Sequence, residues 1–392
     1  MDPQKIVLVD GARTPVGRFG GALKDVPAHE LGARATVAAL ERAGVDGADV
    51  QEVVMGCIGQ VGPDAYNARR VAITAGLPAS TPAFTVNRLC GSGLQAIWSA
   101  AMEMRWNGLD VTVAGGDESM SRMPFYDFGA RAGYRLGDRT LVDGTVMMLT
   151  DPFHGIHMGV TAEKVAERYG VSRQEQDEFA AESQRRAATD AARTAFAEEI
   201  VPVEIGGRRP VTVEVDEHPK PDTTVESLAA LRPAFTPDGT VTAGNASGIN
   251  DGAAAVVLAT EQAAAERGLT PLVALEAVAT GAMEPDLMGY APVLALRSLF
   301  EKTGLGPSDV DVVELNEAFA SQAVAVVRDA GLDPARVNPY GGAIALGHPV
   351  GATGAILSLR VARDLVRRDL ETGIVTMCIG GGQALAALFR RV

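Results

Sequence analysis

The chain has 392 residues, more than one ordinary core requires, and its composition (47% hydrophobic, 5% aromatic, 44 glycines) is typical of helices packed on largely parallel sheets. No apolar stretch reaches the roughly 18 residues that a membrane span needs, and the first residues lack the apolar core of a signal peptide. The net charge of −14 argues against a nucleic-acid surface. We therefore expect a cytoplasmic protein without nucleic-acid or membrane partners.

The first chemically informative elements surround Cys90. Residues 83–86 form an apolar run that predicts a short buried strand, and apolar residues recur at helical spacing from Gly93 onward. Cys90 would then stand at a helix N-terminus, where unpaired N–H groups and the helix dipole make a thiol easier to ionise. The pattern predicts a nucleophilic Cys90, whereas Cys57 is interpreted as structural.

The stretch Gly91 to Ala96 also matches the G-x-G-x-x-A fingerprint of dinucleotide-binding folds. That fingerprint requires an acidic residue at the end of the next strand, but the next apolar run ends in VAGG before Asp117. The missing acidic residue argues against a nicotinamide enzyme.

Residues 119–247 have no counterpart elsewhere in the chain and are interpreted as an insertion. It is expected to contain two long polar helices. The second should begin after Ser172, because Glu175 completes a capping box, and continue through Thr194. An insertion of this size at the functional edge of a sheet is a natural cover for a substrate.

The two ends of the chain resemble each other. In both, a helix, a glycine stop and a strand are followed by a glycine-rich turn into another helix. Cys90 and His348 open corresponding helices, and Cys378 ends a strand that corresponds to the one ending at Gly115. Since functional groups of open α/β sheets collect at the carboxyl ends of strands, we expect the two halves to bring these residues into one crevice.

The residues of the second half have alternative interpretations. His348 caps its own helix or acts as a base, since Cys–His is a recurrent nucleophile–base pair. Asn316, between a strand and a helix, is an N-cap or an amide aimed at a water or carbonyl. His154 and His157 have no further ligand cluster beside them, so no metal is expected.

A set of motifs along nearly the whole chain resembles the thiolase family. They occur in family order and include NRLCGSGLQAI, GGDESMSRMPF, TAGNASGINDGAA, NEAFA, GGAIALGHPVGATGA and CIGGGQA. The stretches DPFHGIHMGVTAEKVAERY and ALRPAFTPDGTVTAGNASG are similar to the acetoacetyl-CoA-forming and broad-specificity β-ketothiolase branch, that is, acetyl-CoA acetyltransferases.

The resemblance implies an α/β fold of two duplicated βαβ-type halves, layered as α/β/α/β/α. Residues 1–118, completed by about 248–268, would form the first half. Residues 119–247 would be an inserted loop domain over the coenzyme A site, and residues 269–392 the second half. Members of this family assemble as dimers or dimers of dimers, so a homodimer or homotetramer is expected.

The resemblance also implies a reversible Claisen condensation of acetyl-CoA with a short acyl-CoA, giving 3-ketoacyl-CoA and CoA without a metal or redox cofactor. Cys90 would be the acylated nucleophile, activated by His348. Cys378 would exchange the α-proton of the second acyl-CoA and is expected to have a pKa near neutral. His348 and a water held by Asn316 would form one oxyanion hole, and the N–H groups of Cys90 and Gly380 the other.

By the same resemblance, a further set of residues binds the acyl-CoA substrates. These are Ser247 and Ala243 at the pantetheine arm, Lys220 at a phosphate, and His157, Met158, Phe235, Met288 and Phe319 around the acyl pocket, which Phe235 narrows in favour of short chains.

Three alternatives remain open on the sequence alone. The first is a degradative 3-ketoacyl-CoA thiolase that acts on longer chains. The second is a decarboxylating enzyme of the ketoacyl-synthase type, although such relatives use a second histidine where this chain has Cys378. The third is a non-catalytic acyl-CoA-binding protein.

Overall fold

The structure is a computed structural model that describes residues 5–208 and 210–392, so the first four residues of the predicted first half lie outside it. The strands are β1 (Ile6–Arg13), β2 (Gly17–Arg18), β3 (Glu52–Gly56), β4 (Ala83–Val86), β5 (Val111–Ser119), β6 (Phe125–Tyr126), β7 (Val142–Asp143), β8 (Thr150–Asp151), β9 (Ile156–His157), β10 (Val203–Ile205), β11 (Val211–Val213), β12 (Asn250–Thr260), β13 (Val273–Ala282), β14 (Val312–Leu315), β15 (Thr372–Ile379) and β16 (Gln383–Arg391). The helices are α1 (Ala28–Ala43), α2 (Asn67–Thr74), α3 (Ser92–Asn107), α4 (Gly144–Met148), α5 (Met158–Tyr169), α6 (Arg173–Ala187), α7 (Asp190–Glu199), α8 (Val225–Ala229), α9 (Glu261–Arg267), α10 (Ala291–Thr303), α11 (Ala320–Asp329), α12 (Ala343–Leu346) and α13 (Thr353–Arg367).

Within the described residues, ten strands form one mixed sheet in the order β14-β15-β16-β13-β1-β12-β5-β3-β4, with β2 beside β12. The order contains one pattern twice. The series β3, β5, β12, β1 pairs parallel, antiparallel and antiparallel, and so does the series β14, β15, β16, β13. Within the sheet of the described residues, the two series meet through two strand-paired residue pairs between β1 and β13. The duplication predicted from the sequence is confirmed, whereas the exact domain boundaries stay a prediction.

Helices fill the space between the two halves and cover both outer faces. The central helices α3 and α13 pack against each other, and their apolar side chains share one core with both halves of the sheet. The helices α1 and α2 cover the outer face of the first half, and α10 and α11 cover that of the second. The layers therefore run helix, sheet, helix, sheet, helix, as expected.

Two local predictions need correction. The strand β4 has the predicted bounds but is only half-buried, because it lies at the edge of the sheet. The helix that begins after Ser172 has its capping box but ends at Ala187, and a new helix, α7, follows. The hydroxyl of Thr189 accepts the N–H of Ala192 at 3.2 Å, so this threonine caps α7 instead of continuing α6.

The inserted residues pack mainly over the second half. The helix α5 contacts α11, and α6 contacts both α11 and α12. None of the helices in the described ranges is long and apolar enough to cross a bilayer.

Candidate active site

Cys90 lies in the turn between β4 and α3, directly before the N-cap residue Gly91. The turn is tight: Leu89 has a φ of 48°, and the Ser92 hydroxyl holds it by donating to the Leu89 carbonyl at 2.7 Å. The residue is partly exposed, and the backbone N–H groups of Gly380 and of Cys90 itself lie beside its sulfur and lower the pKa of the thiol. Since Gly380 belongs to the other half, the predicted meeting of the halves occurs at this sulfur.

Cys378 lies on β15, directly across from that turn. It is fully buried. A Cβ on Gly91 would lie 2.5 Å from the end of the Ile379 side chain, so glycine lets the Cys90 turn lie against β15 without displacing that side chain. The two thiols are near enough that a charge on Cys90 raises the pKa of Cys378.

His348 and Asn316 meet in the same crevice. The amide Nδ2 of Asn316 lies 3.4 Å from Nε2 of His348. Asn316 follows the last residue of β14, and its buried Oδ1 has no hydrogen-bond partner within the described part of the chain. The backbone N–H of His348 donates to Asn250 Oδ1 at 2.9 Å, and its ring Nδ1 lies 2.7 Å from the Thr353 hydroxyl. Val350, two residues after His348, lines a cavity together with Cys90, and the N–H of Asn316 donates to the Thr376 carbonyl at 3.0 Å, two residues before Cys378. The four predicted catalytic residues therefore lie in one region.

Exclusion of water shifts the pKa values of these groups. Desolvation raises the pKa of Cys90 to about 11, although the N–H groups of Gly380 and Cys90 lower it. Burial raises the pKa of Cys378 still further and lowers that of His348 to about 4. The expectations of an easily ionised Cys90 and a near-neutral Cys378 are therefore wrong for this structure, because desolvation outweighs the helix N-terminus and the nearby donors.

An apolar cluster surrounds Cys378. It contains the predicted acyl-pocket residues Met158, Phe235, Met288 and Phe319. The Phe235 ring stacks on His157 with centroids 4.9 Å apart and meets Phe319 edge-on at 6.1 Å. The Cys378 thiol is therefore packed against the residues that the sequence predicted for the acyl pocket.

A cavity of about 440 Å³ lies beside Cys90. Its walls come from the insertion, from the segment after β3 and from the turn after β15. Methionine is the most frequent residue type in its lining, with Met123, Met147, Met148 and Met158. Sequence reasoning named only Cys90, Met158 and Gly380 among its lining residues. The closely spaced methionines of SRM and VMML in the insertion are the signal that could have revealed it.

The remaining predicted substrate residues divide into two groups. Ser247 is near the site, because its N–H donates to the Ala318 carbonyl at 2.9 Å beside Phe319. Ala243 and Lys220 are exposed on the insertion, and the N–H of Lys220 bonds Gln184 at 2.8 Å. Coenzyme A contacts by these residues stay a prediction.

Glu118 is a further residue of the site that sequence reasoning missed. Its buried carboxylate accepts the N–H groups of Ile58 at 3.1 Å, Gly59 at 2.8 Å and Gly351 at 3.0 Å. Ile58 lines the cavity beside Cys90, and Gly351 lies in the His348 turn, so this carboxylate ties the two halves together. Burial raises its pKa to about 7.

Comparison with known proteins identifies the family. The model named Thiolase, N-terminal domain, matches residues 6–262, and the model named Thiolase, C-terminal domain, matches residues 269–391. The chain belongs to the thiolase family. Among its relatives, the beta-ketothiolase BktB of Cupriavidus necator is 50% identical over 392 residues, covering 99% of this chain and 100% of that protein. An acetyl-CoA acetyltransferase of Pseudomonas aeruginosa is 46% identical over 391 residues, covering 99% and 100%.

Solved structures give the same family for this thiolase. The acetyl-CoA acetyltransferase of Bacillus anthracis superposes with a TM-score of 0.97 at 42% identity, with 99% of each chain covered. Human mitochondrial 3-ketoacyl-CoA thiolase superposes with a TM-score of 0.96 at 40% identity, again with 99% of each chain covered. The resemblance read from the sequence motifs is confirmed.

Proposed function

We propose that this thiolase catalyses the reversible condensation of acetyl-CoA with a short acyl-CoA, giving 3-ketoacyl-CoA and CoA through an acyl-Cys90 intermediate. The observation that carries the proposal is the meeting of Cys90, Cys378, His348 and Asn316 in one crevice, with two N–H groups directed at the Cys90 sulfur. An acyl transfer followed by carbon–carbon bond formation needs two thiols in different roles, and this crevice holds two.

In the first half-reaction, the Cys90 sulfur attacks the carbonyl carbon of the acyl-CoA. Neither the Cys90 thiol nor the His348 imidazole ionises alone near neutral pH, so the proton passes to His348 Nε2 as the carbon–sulfur bond forms. The N–H groups of Cys90 and Gly380 stabilise the resulting oxyanion, each worth a factor of about 10² to 10³. The bond to CoA sulfur breaks, and Cys378 gives its proton to the leaving CoA thiolate.

The second half-reaction starts from a Cys378 thiolate and a His348 imidazolium. The thiolate removes a proton from the methyl group of acetyl-CoA, and His348 with Asn316 stabilises the enolate oxygen. The enolate carbon attacks the acyl carbon, the bond to Cys90 sulfur breaks, and His348 returns its proton to Cys90. All groups then have their initial protonation state, so the cycle requires no redox equivalent and no metal. Coenzyme A thioesters are substrates here and not cofactors.

The surroundings of the two thiols support a division between the substrates. The packed apolar cluster around Cys378 suits the acetyl group that becomes the nucleophile, because that group is small. The methionine-lined cavity beside Cys90 fits the chain of the acyl group bound to that sulfur, and thioether side chains adapt readily to ligands of different length. Chains somewhat longer than acetyl are therefore acceptable as the acyl donor but not as the nucleophile.

The alternatives have less support. The relatives at 46–50% identity are named beta-ketothiolase and acetyl-CoA acetyltransferase, which does not favour a long-chain degradative enzyme. Cys378 occupies the place where a decarboxylating synthase would need a second histidine. A non-catalytic binding protein would have no use for the complete catalytic set.

The biological setting belongs to the same proposal. Free cysteines fit a reducing cytoplasm, and 3-ketoacyl-CoA is a precursor that fatty-acid or polyhydroxyalkanoate metabolism can reduce further. We propose a homodimer or homotetramer that acts there without nucleic-acid or membrane partners.

Mass spectrometry of the acetyl-enzyme tests the proposed reaction. Brief incubation with isotope-labelled acetyl-CoA, followed by acid quench and peptide mapping, should place one acetyl group on Cys90. The substitution C90S should abolish this thioester label, whereas C57S, in which a buried structural thiol is changed, should retain it. A label absent from Cys90 in the unmodified protein would contradict the proposal and favour a binding protein.

A further inference from the structure

The helix α13 begins with a threonine that contacts the catalytic histidine. Thr353 is the first residue of α13 and is 2% exposed. Its hydroxyl oxygen lies 2.7 Å from His348 Nδ1 and 3.0 Å from the carbonyl oxygen of Pro349. The second contact is the usual bond of a helical threonine to the carbonyl four residues earlier.

These two distances bear on which ring nitrogen of His348 carries hydrogen. A threonine hydroxyl has one hydrogen, which can go to His348 Nδ1 or to the Pro349 carbonyl, a group that also accepts the Thr353 N–H at 3.0 Å. With the hydrogen on Pro349, the usual arrangement of a helical threonine, the Thr353 oxygen accepts from His348 Nδ1. The neutral imidazole then carries its hydrogen on Nδ1 and a lone pair on Nε2.

The opposite side of the ring agrees with this assignment. Nε2 of His348 lies 3.4 Å from the amide Nδ2 of Asn316, which is a donor. With the amide nitrogen in this position, a hydrogen on Nε2 would point at another hydrogen, whereas a lone pair accepts it. The reverse orientation of the amide would instead place Oδ1 beside Nε2. Two neighbours from different elements, α13 and the turn after β14, are thus compatible with the same tautomer.

We propose that Thr353 is a positioning residue that holds His348 in the Nδ1–H tautomer and thereby makes Nε2 the base for Cys90. This rests on the proposed function. In the first half-reaction, Nε2 accepts the Cys90 proton while Nδ1–H keeps its bond to Thr353. In the second half-reaction, the same Nε2 is a donor and can stabilise the enolate oxygen. A fixed Nδ1–H bond explains how one nitrogen serves as base and then as donor without any rotation of the ring.

Substitutions of Thr353 separate this role from simple packing. T353V keeps the shape and the β-branch but removes the acceptor, and T353S keeps the hydroxyl. The matched control is T303V, because Thr303 makes the same bond to the carbonyl four residues earlier, at 2.8 Å in α10, away from the site. We expect kcat/KM for acetoacetyl-CoA thiolysis to fall about tenfold in T353V, the scale of a buried donor left unpaired. T353S and T303V should stay within about twofold of the unmodified enzyme.

A spectroscopic measurement reads the tautomer directly. In protein labelled with nitrogen-15 at histidine, the His348 signals are assigned by their loss in H348N. The unmodified protein and T353S should show hydrogen on Nδ1, and T353V should show a shift of population toward Nε2–H. Hydrogen on Nε2 in the unmodified protein would overturn the proposal, as would an unchanged tautomer and unchanged kcat/KM in a folded T353V.

This design keeps the two proposals distinguishable. The spectrum of the unmodified protein requires neither turnover nor a folded T353V, so it tests the role of Thr353 alone. If Cys90 takes up no acetyl group while His348 has hydrogen on Nδ1, the proposed reaction fails and the tautomer assignment stands.

Discussion

The two thiols of the crevice are the same chemical group in two different surroundings. Cys90 lies in a turn, is partly exposed, and has two backbone N–H groups beside its sulfur that lower its pKa. Cys378 lies on a strand and is fully buried against apolar side chains such as Met288 and Phe319. A negative charge on Cys90 raises the pKa of Cys378. The environment of Cys90 suits a sulfur whose bound acyl oxygen becomes negative, whereas that of Cys378 suits a thiol that keeps its proton until a CoA thiolate takes it.

Removal of the Cys378 thiol should have the largest effect on activity and tests whether the two thiols have different roles. C378A leaves Cys90, His348 and the N–H donors in place but deletes the group that exchanges the α-proton. We expect condensation and thiolysis to fall about 10²- to 10⁴-fold, the usual contribution of a positioned acid or base. Labelled acetyl-CoA should still acetylate Cys90 stoichiometrically, although more slowly because the leaving CoA thiolate must take its proton from water, and the acetyl-enzyme should accumulate.

The control for that experiment is C57A, which removes a buried thiol beside Glu118 and should keep turnover. If C378A lost acetylation of Cys90 as completely as turnover, the division of roles between the two thiols would be wrong.

The arrangement of the catalytic groups could be predicted from the sequence because two general rules apply. The internal repeat placed Cys90 and His348 at corresponding helices, and strand ends in α/β sheets meet at one edge. The pKa values could not be predicted in this way. Each pKa depends on how completely side chains from distant segments exclude water, as Met288 and Phe319 do around Cys378. A local sequence motif does not show which distant side chains will pack there.

The methionine cavity was missed for a related reason. Its walls combine the insertion, the segment after β3 and the turn after β15, so it exists only after the chain has folded. The break between α6 and α7 is a different case, because Thr189 is a recognisable N-cap within a polar helical pattern. The N-cap residue Thr189 therefore predicts the break between α6 and α7 from the sequence alone.

The second largest effect is expected in the pH dependence of thiol alkylation, which compares the reactivity of Cys90 with that of Cys378. Because the pKa of Cys90 is raised to about 11, its thiolate fraction should increase about tenfold for each pH unit between 7 and 10. The rate of carboxamidomethylation of Cys90 by iodoacetamide, followed by peptide mass spectrometry, should rise accordingly without a plateau. Cys378 has the higher pKa and is fully buried, so it should react more slowly throughout.

An observed plateau of the Cys90 rate below pH 8 would show a thiol activated by its helix N-terminus, as its position in the sequence alone suggested. The N–H donors would then outweigh desolvation. Alkylation in C378A serves as the control, since removal of the neighbouring thiol should leave the rising profile of Cys90 in place.

Chain-length selectivity tests the contrast between the cavity beside Cys90 and the packed cluster around Cys378, and should show the smallest effect. Met148 lines the cavity beside Cys90, and M148W would fill much of it. We expect kcat/KM for thiolysis of a 3-ketoacyl-CoA with eight carbons to fall about tenfold or more, the scale of discrimination by apolar pockets. The value for acetoacetyl-CoA should change less than about twofold, because its acetyl group occupies only the part of the cavity next to the sulfur.

The matched control is V146W, which adds the same ring to the same short helix, α4, at an exposed position outside the cavity lining. It should leave both substrates unaffected. Equal losses for the short and the long substrate in M148W would mean that the acyl chain on Cys90 does not enter the methionine cavity. The chain would then have to lie toward Phe235, and that ring, rather than the insertion methionines, would limit its length.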